Sequence, residues 1–345
     1  MKVILHIGMP KSGSNAMQSC LSNSRDVLLE KGVLYPTSTF KPEDRHHCLA
    51  IPTFGERWVP YCFINQTRVE KLKIFDDFYN DLKRQIAYSR PKCLLLSTET
   101  LFNSLADVDI LYELLCQFSN DNEIVSAVRK PVDFYQSIIH EILKRTHILP
   151  NFEYQVKSIL ELYTKKFCSV RVWSYEGDSV GLVGNVLKNF DIAKSSLILP
   201  DKLNKSASAE GTYLLQRYRR HFHLDNAWKK TRDTDTFLKV LSQVEQKCDV
   251  TSIKLKSQIA ENIRNECKSL ESWLLESFED YQPFQIAEIN EVVNVHTPDI
   301  TQGTGVEELI EIDSSKLKLL VINLLETEWA KSNKKFQNWL SILIA

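Results

Sequence analysis

A glycine-containing segment near the N-terminus, residues 8–15, has the residue types needed to bind an anion. Gly8 and Gly13 allow a tight turn and a close approach of the backbone to a ligand. Four side chains around the turn carry hydrogen-bond donors: Lys11, Ser12, Ser14 and Asn15. A predicted strand precedes the turn and a predicted helix starts within it, so the N–H groups of the helix point into the turn. The segment therefore predicts an anion site, and a phosphate is the expected anion.

The position of the lysine separates this segment from the phosphate loop of P-loop kinases and NTPases. In that loop, Gly-x-x-x-x-Gly-Lys-Ser/Thr, the lysine follows the second glycine directly. Here Ser14 follows Gly13, and Lys11 lies two residues before that glycine. Lys11 would therefore meet a phosphate chain from another side. The alternative interpretation is an ordinary turn between a strand and a helix, without a ligand.

Two further groups with useful chemistry follow predicted buried strands. Glu99 comes shortly after the apolar run 93–97, and Arg129 comes directly after the apolar run 124–128. Open parallel sheets bind their ligands beyond the carboxyl ends of the strands. Ser137 lies in the first turns of the helix after Arg129, so its hydroxyl and the guanidinium can converge on one phosphate. Glu99 is positioned to accept a proton. The alternative is that it belongs to the first turn of the next helix and has no chemical role.

The elements that must position these groups alternate between strands and helices along the chain. Runs of apolar residues predict strands at 3–7, 32–36, 93–97, 124–128 and 169–173. Helical spacing of apolar residues predicts helices at 69–88, 101–117, 183–190, 259–278, 316–329 and 334–344. Such alternation predicts an α/β fold, with a parallel sheet flanked by helices and a mainly helical C-terminal part.

Composition limits the classes of function. The chain has 345 residues, and its 43 Lys and Arg nearly balance its 44 Asp and Glu, so nothing in its charge predicts a nucleic-acid partner. Its eight cysteines are scattered, which indicates buried thiols in a reducing compartment. No apolar run approaches the ~18 residues of a membrane span, and the first nine residues are too short for a signal peptide. A cytoplasmic protein is expected.

Two of these segments resemble motifs of sulfotransferases that use 3′-phosphoadenosine 5′-phosphosulfate (PAPS). Pro10-Lys-Ser-Gly-Ser-Asn15 resembles their 5′-phosphosulfate loop, Pro-Lys-Ser/Thr-Gly-Thr-Thr; Ser14 keeps the hydroxyl and Asn15 departs from the pattern. Arg129-Lys-Pro-Val-Asp-Phe-Tyr-Gln-Ser137 resembles their 3′-phosphate motif, Arg-x-Pro-x-Asp-x-x-x-Ser. The resemblance covers about residues 2–281. It implies a P-loop-NTPase-like parallel sheet in a sulfotransferase-like α/β domain, 1–281. Residues 282–345 are then a helical C-terminal extension, packed on the core or on a second copy of the chain.

The resemblance also implies roles for residues. Lys11 and Glu99 are the catalytic residues it implies, with Glu99 as the base. The residues it implies for binding PAPS or 3′-phosphoadenosine 5′-phosphate (PAP) are Lys11, Ser12, Gly13, Ser14, Asn15, Arg129 and Ser137. No metal is expected. The acceptor is a hydroxyl or amine, on a carbohydrate or another molecule.

Three alternatives stay open at this point. His46 and His47 rival Glu99 as the base, although with Cys48 and Cys62 they fit no familiar zinc spacing and are expected to face solvent. The basic and aromatic stretch 213–232 is either a solvated helix face or an acceptor-binding patch. Two alternatives remain for the function of the whole chain. It is a nucleotide-dependent kinase or NTPase, or a relative that binds nucleotide or glycan without catalysis.

Overall fold

The structure is a computed structural model of the chain. It describes residues 1–42, 44–55, 61–177, 179–188, 190, 192–200, 208–225, 228–229, 231–284, 300 and 303–343. Contacts within the chain divide it into two compact units. The first, here called the sheet unit, comprises Met1–Lys130, Tyr154–Leu203 and Ser269–Glu288. The second, here called the helical unit, comprises Pro131–Glu153, Asn204–Lys268 and Ile289–Ala345.

One all-parallel sheet holds the strands of the described residues: β1 (Lys2–Ile7), β2 (Val33–Leu34), β3 (Cys93–Thr98), β4 (Asn122–Arg129) and β5 (Ser169–Tyr175). The order across the sheet is β2-β3-β1-β4-β5, so β1 lies between β3 and β4. Ile7 pairs with Thr98, and His6 pairs with Val125. The carboxyl ends of β3, β1 and β4 therefore lie side by side. The predicted α/β fold is confirmed.

Helices flank the strands and dominate the C-terminal part, as predicted. In chain order the described residues form α1 (Ser14–Asn23), α2 (Arg25–Glu30), α3 (Ala50–Phe54), α4 (Arg68–Ser89), α5 (Val108–Cys116), α6 (Pro131–Leu143), α7 (Val156–Lys166), α8 (Ser179–Leu187), α9 (Ala209–Phe222), α10 (Arg232–Glu245), α11 (Ser257–Ser277), α12 (Ser314–Leu325), α13 (Glu328–Ser332) and α14 (Lys334–Ile342). The division between the two units falls within α11.

The central strands of the sheet unit are held by apolar side chains on both faces. Residues 3–7 of β1 and all of β3 are buried. Met17 and Leu21 of α1 join Ile4 in one buried cluster, which continues to Trp173 of β5. Burying a large apolar side chain contributes about 1.5–3 kcal/mol, so this cluster fixes α1 against the sheet. Since α1 begins at the glycine-containing segment, the same packing fixes where that segment lies.

The helical unit has its own core, which is rich in aromatic rings. Tyr218 of α9 stacks on Phe237 of α10, with ring centroids 4.4 Å apart. Phe336 and Trp339 of α14 pack edge-on against Tyr218 at 6.1 and 5.9 Å. The C-terminal helices α12–α14 thus help to close this core, to which Leu320 of α12 also belongs.

Several predicted boundaries were wrong. The helix predicted over 101–117 is only Val108–Cys116, because Asp107 caps a helix start there by accepting from Ile110 N. Between β2 and α4 the chain forms a 3-10 helix at His47–Leu49 and the helix α3. The fourth strand extends to Arg129, so this arginine is the last residue of β4.

The division of the chain at residue 281 stays a prediction. Most of the segment 282–305 lies outside the described residues, whereas α12, α13 and α14 belong to the helical unit. Among the helices that the structure describes, none combines the length and the apolar character needed to cross a membrane.

Candidate functional site

The phosphate loop, as we call residues 8–15, connects β1 to α1 through an unusual backbone path. Lys11 has φ 65° and Gly13 has φ 79°, so both lie in the left-handed region. Only glycine adopts that region at little cost, and a lysine there must be held by its surroundings. Gly13 is the N-cap of α1, and it offers no side chain to cap the helix. The first turn of α1 therefore directs its N–H groups toward the loop.

Gly8 and Ser14 face each other across the phosphate loop. A Cβ added at Gly8 would collide with Ser14 Oγ, so only glycine fits at this position. Ser14 is buried, and its Oγ has no hydrogen-bond partner among the described residues. A buried hydroxyl without a partner costs about 1–3 kcal/mol. An anion in the loop would supply the missing partner.

Ser12 and Asn15 play different parts from Ser14 in this structure. Ser12 is fully buried, and both its N–H and its hydroxyl donate to the carbonyl of Met9, at 3.2 and 2.7 Å. The Ser12 side chain therefore stabilises the turn. Asn15 is exposed at the start of α1, where its amide is accessible to a ligand.

Arg129 reaches from the end of β4 to the phosphate loop. Its Nη1 donates to the carbonyl oxygen of Lys11 at 2.6 Å, and its backbone carbonyl accepts from the Tyr154 hydroxyl. The guanidinium carbon also lies 5.9 Å from the centre of the Tyr175 ring. The two basic residues predicted from separate motifs are thus joined, and both bring positive charge to the same edge of the sheet.

Ser137, the other residue predicted with Arg129, lies in α6 and belongs to the helical unit. The predicted convergence of Ser137 and Arg129 on one phosphate stays a prediction.

Glu99 follows β3 directly. This strand lies beside β1, the strand that leads into the phosphate loop. The loop is tied to β3, because Gly8 N donates to the carbonyl of Thr98 at 3.3 Å. Glu99 Oε1 lies 3.7 Å from Nη1 of Arg45, in an ion pair that is too long for a hydrogen bond. The Glu99 side chain is 34% exposed, so an acceptor can reach it. Its position is compatible with proton transfer at the sheet edge.

The expectation that His46 and His47 face solvent was wrong, since both are buried. His46 Nδ1 accepts from Ser97 N at 2.9 Å, and its Nε2 donates to the carbonyl of Pro36 at 3.0 Å. His47 Nδ1 lies 2.9 Å from Thr98 Oγ1. Burial lowers the pKa of each imidazole to about 4, so both are neutral at neutral pH. His46 thus serves to fasten this segment to β3. The described residues contain no group of three or more His, Cys, Asp or Glu side chains arranged to hold a metal.

A polar cluster beneath the phosphate loop was not foreseen from the sequence. His6 in the middle of β1 places its Nδ1 2.9 Å from Ser97 Oγ, and Gln18 Nε2 of α1 donates to the same oxygen at 3.0 Å. All three side chains are fully buried. The signal that could have revealed the cluster is a histidine inside a strand that is otherwise apolar on both faces.

The basic and aromatic stretch 213–232 is divided between the core of the helical unit and its surface, where Trp228 is 60% exposed. Arg219 is fully buried, where its guanidinium donates to Thr234 Oγ1 at 3.0 Å and to the carbonyl of Arg145. Arg217 pairs with Glu307 at 2.7 Å. Arg220 donates to the carbonyls of 303 and 304. The rings of 218 and 222 pack in the aromatic core, and residues 226, 227 and 230 lie outside the described residues.

Comparisons with known proteins give two structural likenesses. No family model matches the chain, and no curated protein matches it. A sulfotransferase from Alicyclobacillus acidocaldarius is similar at 14% identity with a TM-score of 0.35, over 66% of this chain and 92% of that one. The sulfotransferase domain from the curacin biosynthetic pathway is similar at 13% identity with a TM-score of 0.34, over 70% of this chain and 97% of that one. At these TM-scores neither likeness carries an argument about this chain.

Proposed function

We propose that this chain is a PAPS-dependent sulfotransferase, which moves the sulfuryl group of PAPS to a hydroxyl or amine acceptor on a glycan or glycoconjugate. One observation carries the proposal, the 2.6 Å hydrogen bond from Arg129 Nη1 to the Lys11 carbonyl. It joins the two segments that resemble the 5′ and 3′ motifs of these enzymes. A guanidinium has five N–H donors, so the bond to Lys11 leaves donors for an anion.

The residues of the phosphate loop fit the 5′ end of such a donor. Ser14 Oγ is buried without a hydrogen-bond partner among the described residues, and it lies where a Cβ of residue 8 would otherwise be. Lys11 and the N-terminus of α1 supply positive charge at the same place. PAPS supplies an activated sulfuryl group when it is bound there. In this proposal Arg129 binds its 3′-phosphate.

Lys11 stabilises the transition state in the proposed reaction. Negative charge grows on the 5′-phosphate as its bond to the sulfuryl group breaks, and the Lys11 ammonium and the loop N–H groups neutralise it. Preorganised charge of this kind is usually the largest contribution to catalysis. Because Ser14 occupies the position of the lysine in P-loop kinases, this arrangement favours sulfuryl transfer over a kinase or NTPase.

Glu99 is the proposed base. A carboxylate is too weak to deprotonate an alcohol beforehand, so Glu99 takes the proton late, as the new bond to sulfur forms. Its partial exposure allows an acceptor to approach, and its ion pair with Arg45 keeps the carboxylate at the sheet edge.

The proposed function is tested by transfer from PAPS to a panel of glycans and small alcohols, with release of PAP as the measured quantity. Glu99→Gln should keep PAP affinity and lower transfer about 10²- to 10⁴-fold, because the amide cannot accept a proton. His47→Ala is the matched control, because His47 contacts Thr98, the residue before Glu99. The transfer rate of this variant should fall far less.

Two outcomes would contradict parts of this proposal. Full activity of Glu99→Gln together with an inactive but folded His47→Ala would indicate that the base is His47 rather than Glu99. PAP binding by the wild type without transfer to any acceptor would favour the non-catalytic alternative.

A further inference from the structure

The polar cluster of His6, Ser97 and Gln18 is unusual because it sits inside an apolar sheet and is only partly satisfied. His6 Nε2 and Gln18 Oε1 are buried and have no hydrogen-bond partner among the described residues. Ser14 Oγ, in the phosphate loop, is a third such atom. A buried polar atom without a partner costs about 1–3 kcal/mol, and native proteins contain few of them. Two of these atoms belong to side chains that adjoin Gly8, those of His6 and Ser14, and an anion in the loop can complete this pair.

The hydrogen bonds of the cluster have a direction. An amide nitrogen can only donate, so Gln18 Nε2 gives a proton to Ser97 Oγ. The Ser97 hydroxyl keeps its own proton to donate, and His6 Nδ1 lies 2.9 Å away. Burial lowers the pKa of His6 to about 3, so the imidazole is neutral and carries one N–H. If Nδ1 accepts from Ser97, that N–H is on Nε2.

The Cε1 corner of the His6 ring faces Gly8 of the phosphate loop. A Cβ added at Gly8 would stand 2.9 Å from His6 Cε1, the carbon between Nδ1 and Nε2, and would also collide with Ser14 Oγ. Because Nδ1 is engaged with Ser97 Oγ, Nε2 is the ring nitrogen left for a partner in the loop. His6 and Ser14 therefore approach the same side of Gly8. No hydrogen bond joins His6 Nε2 to Ser14 Oγ among the described residues, so a bond between them requires the Ser14 hydroxyl to turn toward the imidazole when an anion binds.

We propose that His6 is a positioning residue that acts through Ser14, within a chain of hydrogen-bond donors that runs from Gln18 through Ser97, His6 and Ser14 to a bound phosphate. In this chain His6 Nε2 donates to Ser14 Oγ, which then has its proton free to donate to the phosphate oxygen. Hydrogen bonds aligned in one direction strengthen each other. The inference rests on the proposed function for the identity of the donor, but the chain of bonds itself requires only a phosphate.

A double-mutant cycle tests this chain, with inorganic pyrophosphate as the probe and calorimetric titration as the measurement. Ser14→Ala and His6→Phe should each weaken binding about tenfold, the loss of one hydrogen bond to an anion. The double variant should also bind about tenfold more weakly than the wild type, because His6 has no effect once the Ser14 hydroxyl is gone. A loss of about a hundredfold in the double variant, or no loss in His6→Phe, would overturn the proposal.

The wild-type protein allows a second test that does not depend on a folded His6 variant. In a spectrum of protein labelled with ¹⁵N in histidine, His6 should be the neutral form with its proton on Nε2, and pyrophosphate should shift that resonance. The resonance is assigned by its loss in His6→Phe or by its shift in Ser97→Ala. A proton on Nδ1, or no response to pyrophosphate, would overturn the proposal.

The two probes separate this inference from the proposed function. If PAP binds no better than AMP while the pyrophosphate cycle shows coupling, the proposed function fails and the role of His6 stands. If PAP is preferred while the losses in the cycle are additive, the role of His6 fails and the proposed function stands. A wild type that does not bind pyrophosphate overturns the role of His6.

Discussion

The phosphate loop and the histidine segment, residues 46–47, both lie at strand ends of the sheet unit, and both are rich in polar side chains. They differ in how these side chains are satisfied. In the histidine segment both ring nitrogens of His46 are hydrogen-bonded to the backbone. In and beneath the phosphate loop, Ser14 Oγ and His6 Nε2 are buried without partners among the described residues.

This difference separates a structural polar cluster from a candidate binding site. Each satisfied bond of His46 contributes about 0.5–1.5 kcal/mol to stability without a ligand. The phosphate loop instead carries a cost that a ligand can relieve, together with a lysine held at φ 65°. Burial alone does not distinguish the two, because His46 and Ser14 are both buried.

The largest expected effect in the phosphate loop is that of Lys11→Ala. Turnover should fall about 10²-fold or more, because a cation directed at developing charge is removed. Alanine bears the same left-handed backbone cost as lysine, so the fold should be retained. Steady-state kinetics and a thermal melt measure the two quantities. An unchanged turnover number would mean that the loop is an ordinary turn between a strand and a helix.

A smaller effect, on specificity, is expected for Arg129→Ala. The variant should lose most of the preference for PAP over AMP, because charge-assisted hydrogen bonds to the 3′-phosphate disappear; such bonds are worth about 1.5–3 kcal/mol. Lys130→Ala is the matched control, since this neighbouring cation forms a long 3.9 Å pair with Glu176. Calorimetric titration with PAP and with AMP measures this preference. If Arg129→Ala kept the full preference for PAP, the 3′-phosphate site would be elsewhere.

The histidine segment should respond in stability rather than in turnover. His46→Phe leaves Ser97 N without its acceptor, so the free energy of unfolding should fall by about 1–3 kcal/mol while PAP affinity is unchanged. Urea unfolding measures the first quantity and titration the second. A variant that is as stable as the wild type but fails to bind PAP would contradict the structural role.

The same segment predicts how stability depends on pH. The folded protein keeps His46 neutral down to a pKa of about 4, whereas the unfolded chain takes up the proton near 6.5. The unfolded state therefore binds more protons between these values, and the free energy of unfolding should fall as the pH is lowered from about 6.5 to 4. His46→Phe should show a shallower fall than the wild type over the same range.

The sequence allowed the sheet and the phosphate loop to be predicted because their signals are local. Apolar runs mark the strands, and two glycines five residues apart, Gly8 and Gly13, mark the turn. The burial of His46 could not be predicted, since its partner Ser97 lies 51 residues away along the chain. The partners of the basic stretch could not be predicted for the same reason, because Arg217 meets Glu307 90 residues later. Long-range partners decide whether a polar residue is structural or accessible.

The central claim is that the phosphate loop and Arg129 together bind a nucleotide with a 3′-phosphate, and a thermal melt with added nucleotides tests it most directly. PAP at a hundredfold excess over its dissociation constant should stabilise the protein by about 2.7 kcal/mol. ATP with magnesium should not stabilise it, because the loop has Ser14 where P-loop kinases have a lysine directly after the second glycine. Equal stabilisation by PAP and by ATP with magnesium would contradict the account.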